Sequence, residues 1–533
     1  MKAAVSGAWT GWRAPVAAML VMLALALPGF FTLPPVDRDE ARFARASAQM
    51  IETGDLIDIR LGDEPRYKKP VGIYWLQAAV AGLTAPDRIW AYRLVSLAGA
   101  MAAAGLTVLV ARRAMGGGAA LMAGVIMASS FLLGGEARLA KTDAVQLACI
   151  LAAQLVLAHA FLPGGRAQQP ALSPVAAMGF WAAVGAGILV KGPIAPLVAF
   201  STLTVICLYR RDLAILRALR PLPGVLLMLA IVAPWLIAIT VKSGGAFWQA
   251  SVGEDLLAKV GEGQENHGAP PGSYLLAVWG TLWPGAALLA AALPGIWRMR
   301  RAPLAVFALG WAVPVWLLFE LTATKLIHYT LPAYPALAIL TAGALAATPP
   351  GRLARAVGSL LAVAVPVLML VAMWLGARDL GAVPGWTYFA GAALLVPGVA
   401  LLIAGLWRNQ RAAMTSGLAA SGLALSVALF PTLARMPVLW PSVALSQVAA
   451  AHPGCRFVTL GYGEPSLLFL TQGAVRFTDA AGLGAALAEP GCVLLAVESR
   501  EVVDSAGWQP AGSVQGVNLG NGRTLDFALY LRP

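Results

Sequence analysis

Apolar runs, each close to the ~20 residues that a bilayer requires, recur near 14–33, 90–111, 118–134, 143–162, 174–190, 193–209, 224–242, 274–293, 303–320, 332–347, 355–376, 385–406 and 413–431. The polar segments between them alternate in character. One set is basic, with Arg112 and Arg113, Arg166, Arg210 to Arg220, Arg298 to Arg301, Arg352 and Arg355, and Arg408 and Arg411. The other set mixes both charge signs with aromatic residues. The alternation predicts an α-helical polytopic membrane protein of about thirteen transmembrane helices, with the arginine-rich loops and the N-terminus cytoplasmic. The C-terminal tail then falls on the periplasmic side. The first run follows Lys2 and Arg13, lacks a small-residue cleavage site, and reads as a retained span.

After residue 431 the period changes. "CRFVTLGY", "AVRFTD" and "CVLLAVES" are short β-branched runs separated by helix-like stretches, and "LGNGRTLDFALYL" carries Asn521-Gly522 as a hairpin turn. The chain therefore divides into a membrane domain, 1–431, whose loop 34–89 carries amphipathic helices, and a small α/β domain, 432–533, with a partly parallel sheet. Cys455 and Cys492 begin the first and third of these strands, so a disulfide between them is feasible if the strands are neighbours. Cys149 and Cys207 fall within apolar runs and read as small buried residues. The tail carries no evident chemical motif.

Composition sharpens this picture. Hydrophobic residues make up 59% of the 533, and mean hydropathy is +0.75, well above soluble domains. The net charge of +13 is distributed as the loop rule requires, which excludes a nucleic-acid partner.

Against that background the charged segments away from the arginine loops stand out. "VDRDEARFARASAQM" (36–50) predicts a short helix on the membrane surface, capped by Asp37 or Asp39. Phe43, Ala46, Met50 and Ile51 share one face; Arg42, Arg45, Gln49 and Glu52 share the other. It is either an interfacial anchor or the mount for Asp39 as a general base. "DEPRYKKPVGIYWLQ" gathers Tyr67, Lys68 and Lys69 where loop charge gives no reason for them, and a phosphate-bearing partner would supply one. "EARLAKTDAVQL" places Glu136, Arg138, Lys141 and Asp143 between two runs on the side of Asp39. Lys191 lies deep between two more, and an intramembrane cation is a functional candidate. His267 sits among carboxylates in the loop 243–273, without a two-histidine spacing for a metal. Lys325, His328 and Tyr329 crowd a further turn.

Six of these segments in order, "DRDEARFA", "TGDLIDIRL", "YKKPVGIYWLQ", "LVKGPIAP", "ENHGAPPGSY" and "TKLIHYTLPAYP", resemble the bacterial aminoarabinose-transferase and protein-mannosyltransferase-like membrane glycosyltransferases of the GT-C superfamily. The resemblance runs over roughly residues 30–340. It implies transfer of a monosaccharide from a polyprenyl (undecaprenyl) phosphate to a lipid A/LPS-type or other envelope acceptor, at the periplasmic face of the bacterial inner membrane. It implies that Asp39 and Asp143 are catalytic, and that Lys69 holds the donor phosphate. Tyr67, Arg42, Lys191, Lys325, His328 and Tyr329 are expected around the donor phosphate and sugar. His267 resembles a metal-ligand histidine, so a divalent metal ion is the one cofactor implied. The chain departs from the pattern at Lys68, where aminoarabinose transferases carry a glutamate, and an ammonium there repels a cation. Two alternatives remain open: a protein O-glycosyltransferase using the same donor class, and a lipid-linked sugar transporter or flippase. The sugar itself is not legible.

Overall fold

The structure is a computed structural model that describes residues 9, 11–162, 172–257, 269–504 and 506–532. Nine helices among the described residues are long and apolar enough to cross a membrane, beginning with Ile89–Ala111 and ending with Arg411–Ala434. A tenth crossing is available if Ser273–Thr281 and Gly285–Arg298, bent by 119° to one another, count as one broken span. This is a multi-pass membrane protein. The runs expected at 14–33, 118–134 and 193–209 form the shorter helices Arg13–Ala26, Gly117–Ser129 and Ile194–Arg210. Helix length therefore supports fewer full crossings than the apolar runs suggest. Proline and glycine explain two of the shortfalls. Pro28 and Gly29 end the first helix, and Gly192-Pro193 delays the start of the third.

The long helices sort by depth in the bundle. Ile327–Ala347 is central, with 78% of its apolar window buried, whereas Arg352–Asp379 buries only 17% and presents its apolar surface outward. Trp386–Arg408 and Arg411–Ala434 pair along their length through small residues. A Cβ on Gly398 would stand 2.8 Å from the Ser421 nitrogen, so only glycine lets these backbones approach so closely.

Four elements position the site: α1 (Asp39–Thr53), α2 (Ile89–Ala111), α3 (Asp143–Phe161) and α4 (Pro174–Lys191). Helix α1 is amphipathic, and the protein itself covers it. Its apolar face, with Phe43, Ala46 and Met50, packs on Ile59, Val71, Ile73 and Tyr74. Its opposite face is covered too: Arg45 is buried and pairs with Glu52 at 2.5 Å. Gln49 is tied in both directions to Gly62 in the turn between β1 (Arg60–Leu61) and β2 (Glu64–Pro65). The helix is clasped rather than floating.

Glu40 anchors the clasp. Its carboxylate takes two hydrogen bonds from the Arg93 guanidinium of α2, at 2.7 and 2.8 Å, and further ones from the Val36 and Ala140 nitrogens. Arg93 spends its remaining donors on the carbonyls of Phe30, Leu33 and Pro34. Both side chains are fully buried. Arg138 repeats the device one turn away, donating to the carbonyls of Leu25, Pro28 and Gly134 while its guanidinium lies 3.7 Å over the Phe430 ring. Arg138 is therefore a structural tie.

After Ala434 comes a five-stranded sheet: β3 (Arg456–Leu460), β4 (Arg476–Thr478), β5 (Val493–Glu498), β6 (Gln509–Val517) and β7 (Thr524–Arg532). The order is β4-β3-β5-β7-β6, with β3 parallel to β4 and β5, and the terminal hairpin antiparallel. Strands β3 and β5 are neighbours, and a disulfide joins Cys455 to Cys492 across a Cα separation of 4.5 Å. The sheet domain reaches α1 through the short helix α5 (Pro465–Leu470). Phe469 meets Tyr92 edge-on at 5.6 Å, and Gly473 fits against Arg45, where a Cβ would stand 2.6 Å from its guanidinium.

The Glu40–Arg93 pair yields a stability test. Arg93→Met leaves a buried carboxylate without its cation, a loss of ~3–5 kcal/mol. The expected outcome is a lower thermal unfolding midpoint in detergent, partly restored in the double variant Arg93→Met, Glu40→Gln. A midpoint equal to wild type in Arg93→Met would refute the anchoring role.

Candidate active site

A short helix ending at Glu136 and the turn that follows it deliver Lys141 to the head of α3, where Asp143 occupies the first helical turn. The Lys141 ammonium lies 3.2 Å from Glu136 Oε1 and 3.8 Å from Asp143 Oδ2. Lys191, the last residue of α4, donates to Asp143 Oδ1 at 2.5 Å. A carboxylate at a helix start and an ammonium at a helix end are each placed where the helix dipole favours them. Gly192 then turns the chain at φ 68°. The His328 ring closes the group, with Nδ1 3.9 Å from Glu136 and Nε2 3.9 Å from Asp143. Glu136 Oε2 is buried without a partner among the described residues. Burial pushes the Glu136 carboxyl up to about 7, with Asp143 adding to the rise while Lys141 opposes it. Burial works against the Lys141 charge, yet Glu136, Asp143 and Asp39 raise its ammonium above the ordinary lysine range.

Asp39 differs from all of these. It is exposed to solvent, and no hydrogen bond or ion pair engages its carboxylate among the described residues. Surrounding protein disfavours its charge, but the fields of Lys141, His328, Arg66 and Arg42 outweigh that and hold the carboxyl below its usual range. The residue is thus an accessible, ionised carboxylate in a cationic recess. Its backbone is set by Arg38, a non-glycine residue at φ 67° and ψ −105°. Strain of this kind costs ~1–3 kcal/mol and persists only where neighbours enforce it.

The structure brings Asp39, Asp143, Lys191 and His328 together with Arg42, Glu136 and Lys141. Tyr329 borders the group, its ring 5.9 Å from the Lys191 ammonium and 5.1 Å from the His328 ring. Lys69 is half-buried and engaged, whereas Lys68 is exposed. Two expected residues are committed elsewhere. Tyr67 donates to Asp58 at 2.8 Å and packs edge-on against Phe247, and so braces the loop. Lys325 donates to the carbonyls of Glu320 and Thr322, at 2.8 and 2.7 Å, at the end of helix Pro303–Leu321. It caps a helix C-terminus, where free carbonyls attract a cation. His267 lies outside the described residues. The sequence reading passed over Arg66, hidden beside the more conspicuous Tyr67-Lys68-Lys69 run, although it is buried and faces Asp39 electrostatically.

With this geometry in hand the chain was compared with known proteins. A solved structure of ArnT from Cupriavidus metallidurans bound to undecaprenyl phosphate superposes with a TM-score of 0.78, covering 97% of each chain at 19% identity. The chain shares the fold of that ArnT structure. The archaeal oligosaccharyltransferase AglB from Archaeoglobus fulgidus is a more distant instance of the fold, at a TM-score of 0.51 and 13% identity over 87% of this chain and 64% of that one. In sequence, the dolichyl-phosphate-mannose-protein mannosyltransferase family matches residues 68–237. Undecaprenyl phosphate-α-4-amino-4-deoxy-L-arabinose arabinosyl transferases are similar as well. That of Edwardsiella ictaluri is 29% identical over 62% of this chain and 59% of its own length. That of Aeromonas salmonicida is 30% identical over 60% and 59%. The matches thus span about three fifths of the curated relatives.

The described residues do not fit the metal ion that the resemblance implies. Lys68 places an ammonium where the resemblance expects a carboxylate, and no group of three or more His, Cys, Asp or Glu among the described residues could hold a metal.

Asp37 or Asp39 was expected as a cap of α1, but Arg38 occupies its N-cap and no side chain caps the helix. Asp37 instead accepts the Ser466 backbone N–H at 3.1 Å, at the start of α5. Burial pushes its carboxyl from 3.8 up to about 6, against the opposing Ser466 hydrogen bond. A raised folded-state value means that the docked form binds the proton more tightly, so this contact loses stability as pH rises from 3.8 to about 6 and is level above that. The protection of the Ser466–Thr471 amides, measured relative to their intrinsic exchange rates at each pH, should therefore fall over that range in wild type, and this fall should vanish in Asp37→Asn. The same fall in both proteins would assign it to another group.

Proposed function

We propose that this protein transfers a monosaccharide from a polyprenyl phosphate to a lipid A/LPS-type or other envelope acceptor at the periplasmic face of the inner membrane. The observation that carries the reading is Asp39: an open, ionised, unpaired carboxylate beside a buried array of ammonium groups. The arabinosyl transferases similar in sequence use an undecaprenyl phosphate-linked sugar by their names, and the ArnT structure holds undecaprenyl phosphate. The distribution of loop arginines supports a cytoplasmic N-terminus and a periplasmic site.

In this reading the bond between the anomeric carbon and the lipid phosphate oxygen breaks, and its electron pair leaves with the phosphate. A bond forms from the anomeric carbon to the acceptor oxygen. Polyprenyl phosphate is already an adequate leaving group, so the main task is to stabilise the departing charge, which falls to Lys69 and its cationic neighbours. Asp39 takes the acceptor proton, or orients the acceptor when that group is already ionised. Asp143 is held by Lys191 and Lys141, so its part is to fix the cations and His328 rather than to exchange protons. A protein acceptor is the second reading, favoured by the match to the protein mannosyltransferase family at residues 68–237. Mass spectrometry of lipid A and of envelope glycoproteins from a deletion strain decides between them by which one loses a sugar.

Turnover of a polyprenyl-linked donor, measured at matched protein levels, tests the assignment directly. Asp39→Asn should reduce it by ~10²–10⁴-fold, while Asp37→Asn stays substantially active. Normal turnover in Asp39→Asn would sink the general-base role. For the donor lipid, Lys69→Ala should raise KM far more than Lys68→Ala does, because a lost buried charge contact costs ~2–5 kcal/mol. Equal effects at the two lysines would remove Lys69 from the phosphate site.

A further inference from the structure

Arg66 has no part in the chemistry described so far, yet it is unusually well prepared to bind something. It follows β2 and is only 8% exposed. Its guanidinium lies 5.1 Å from the centroid of the Phe43 ring, and its Nε donates to the Tyr74 hydroxyl at 3.3 Å. Phe43 and Tyr74 are themselves buried and packed together at 5.3 Å. The plane of the guanidinium is therefore fixed from two sides. Its two terminal nitrogens make no hydrogen bond among the described residues.

Those donors belong to a guanidinium, a group that can only donate, and they are not sealed away from solvent, so an incoming group can meet them. Asp39 feels the Arg66 charge but forms no ion pair with it among the described residues. Arg42, on the same side of α1, likewise has no side-chain partner among the described residues. The recess thus holds two cations beyond those neutralised by Glu136 and Asp143. A neutral hydroxyl has no need of them, and an amino group would be repelled. A phosphate brought next to ionised Asp39 does need them, because the carboxylate would otherwise repel it. A rigid guanidinium fork also matches two phosphate oxygens at once.

Resting on the glycosyl-transfer reading above, we propose that Arg66 is a preformed fork for a phosphate group that enters the recess beside Asp39, with Arg42 as the supporting charge. Two sources supply that chemistry: the lipid phosphate of the donor, or a phosphate carried by the acceptor.

Binding to the full-length protein in detergent tests the proposal with three probes: undecaprenyl phosphate, a lipid A-type disaccharide bisphosphate, and the same disaccharide dephosphorylated. Arg66→Gln should weaken at least one phosphate-bearing probe by ~30-fold or more. Arg66→Lys, which keeps the charge without the fork, should fall between Arg66→Gln and wild type. Loss confined to undecaprenyl phosphate identifies the donor as the source. Loss for the bisphosphate without loss for its dephosphorylated form identifies the acceptor. Wild-type affinity for both phosphate probes in Arg66→Gln overturns the proposal, as does wild-type protein that binds neither. An equal loss for the dephosphorylated disaccharide also overturns it, because that marks a purely structural role. Sugar transfer assayed in parallel separates this idea from the reading it rests on. Turnover with unaltered phosphate binding in Arg66→Gln removes the fork alone, whereas phosphate loss in a protein without transferase activity removes the reaction and keeps the fork.

Discussion

The ion pair between Glu40 and Arg93 is the constraint on which the rest of the site depends. Neither group touches solvent, so each would be ruinous alone, and each is fully occupied by the other and by backbone. Through their hydrogen bonds they hold together the loop after the first helix, the start of α1, the middle of the bundle and the turn that carries Lys141. Asp39 and Glu40 are adjacent carboxylates with opposite fates. Because Glu40 takes the buried partners, Asp39 is left facing the recess with only long-range attraction from the cations around it. An unpaired carboxylate becomes available because its neighbour is so thoroughly paired.

The sheet domain completes the arrangement from the other side. Asp37 receives the start of α5, Phe469 rests on Tyr92, and Gly473 leaves room for Arg45. The strained backbone at Arg38 lies between the Asp37 contact and the Glu40 anchor, where both neighbours are fixed. A domain without chemical groups of its own therefore bears directly on the geometry at Asp39.

Much of this was legible in the sequence, for identifiable reasons. The membrane architecture follows from runs of apolar residues, and the tail from a change of period and an Asn-Gly turn. Asp39, Asp143, Lys191 and His328 stood out because charge is scarce beside apolar helices. What was not legible depends on contacts between distant segments. The alternation of polar residues along α1 reads as a surface helix until the sheet domain covers Arg45. The contacts of Lys325 are hidden because its carbonyl partners at the end of Pro303–Leu321 carry no sequence signature. Arg66 looked like one more loop charge because its meaning comes from Phe43 and Tyr74, which lie on two different helices.

The bond between Asp37 and Ser466 joins positions 429 apart in the chain. Translation delivers the first of these partners long before the second. Until the second is made, the face of α1 that meets α5 stands uncovered. The nascent protein can thread its helices into the bilayer before the site takes its finished shape. Assembly of the bundle and completion of the site are separate events in time, and the sheet domain marks the second of them.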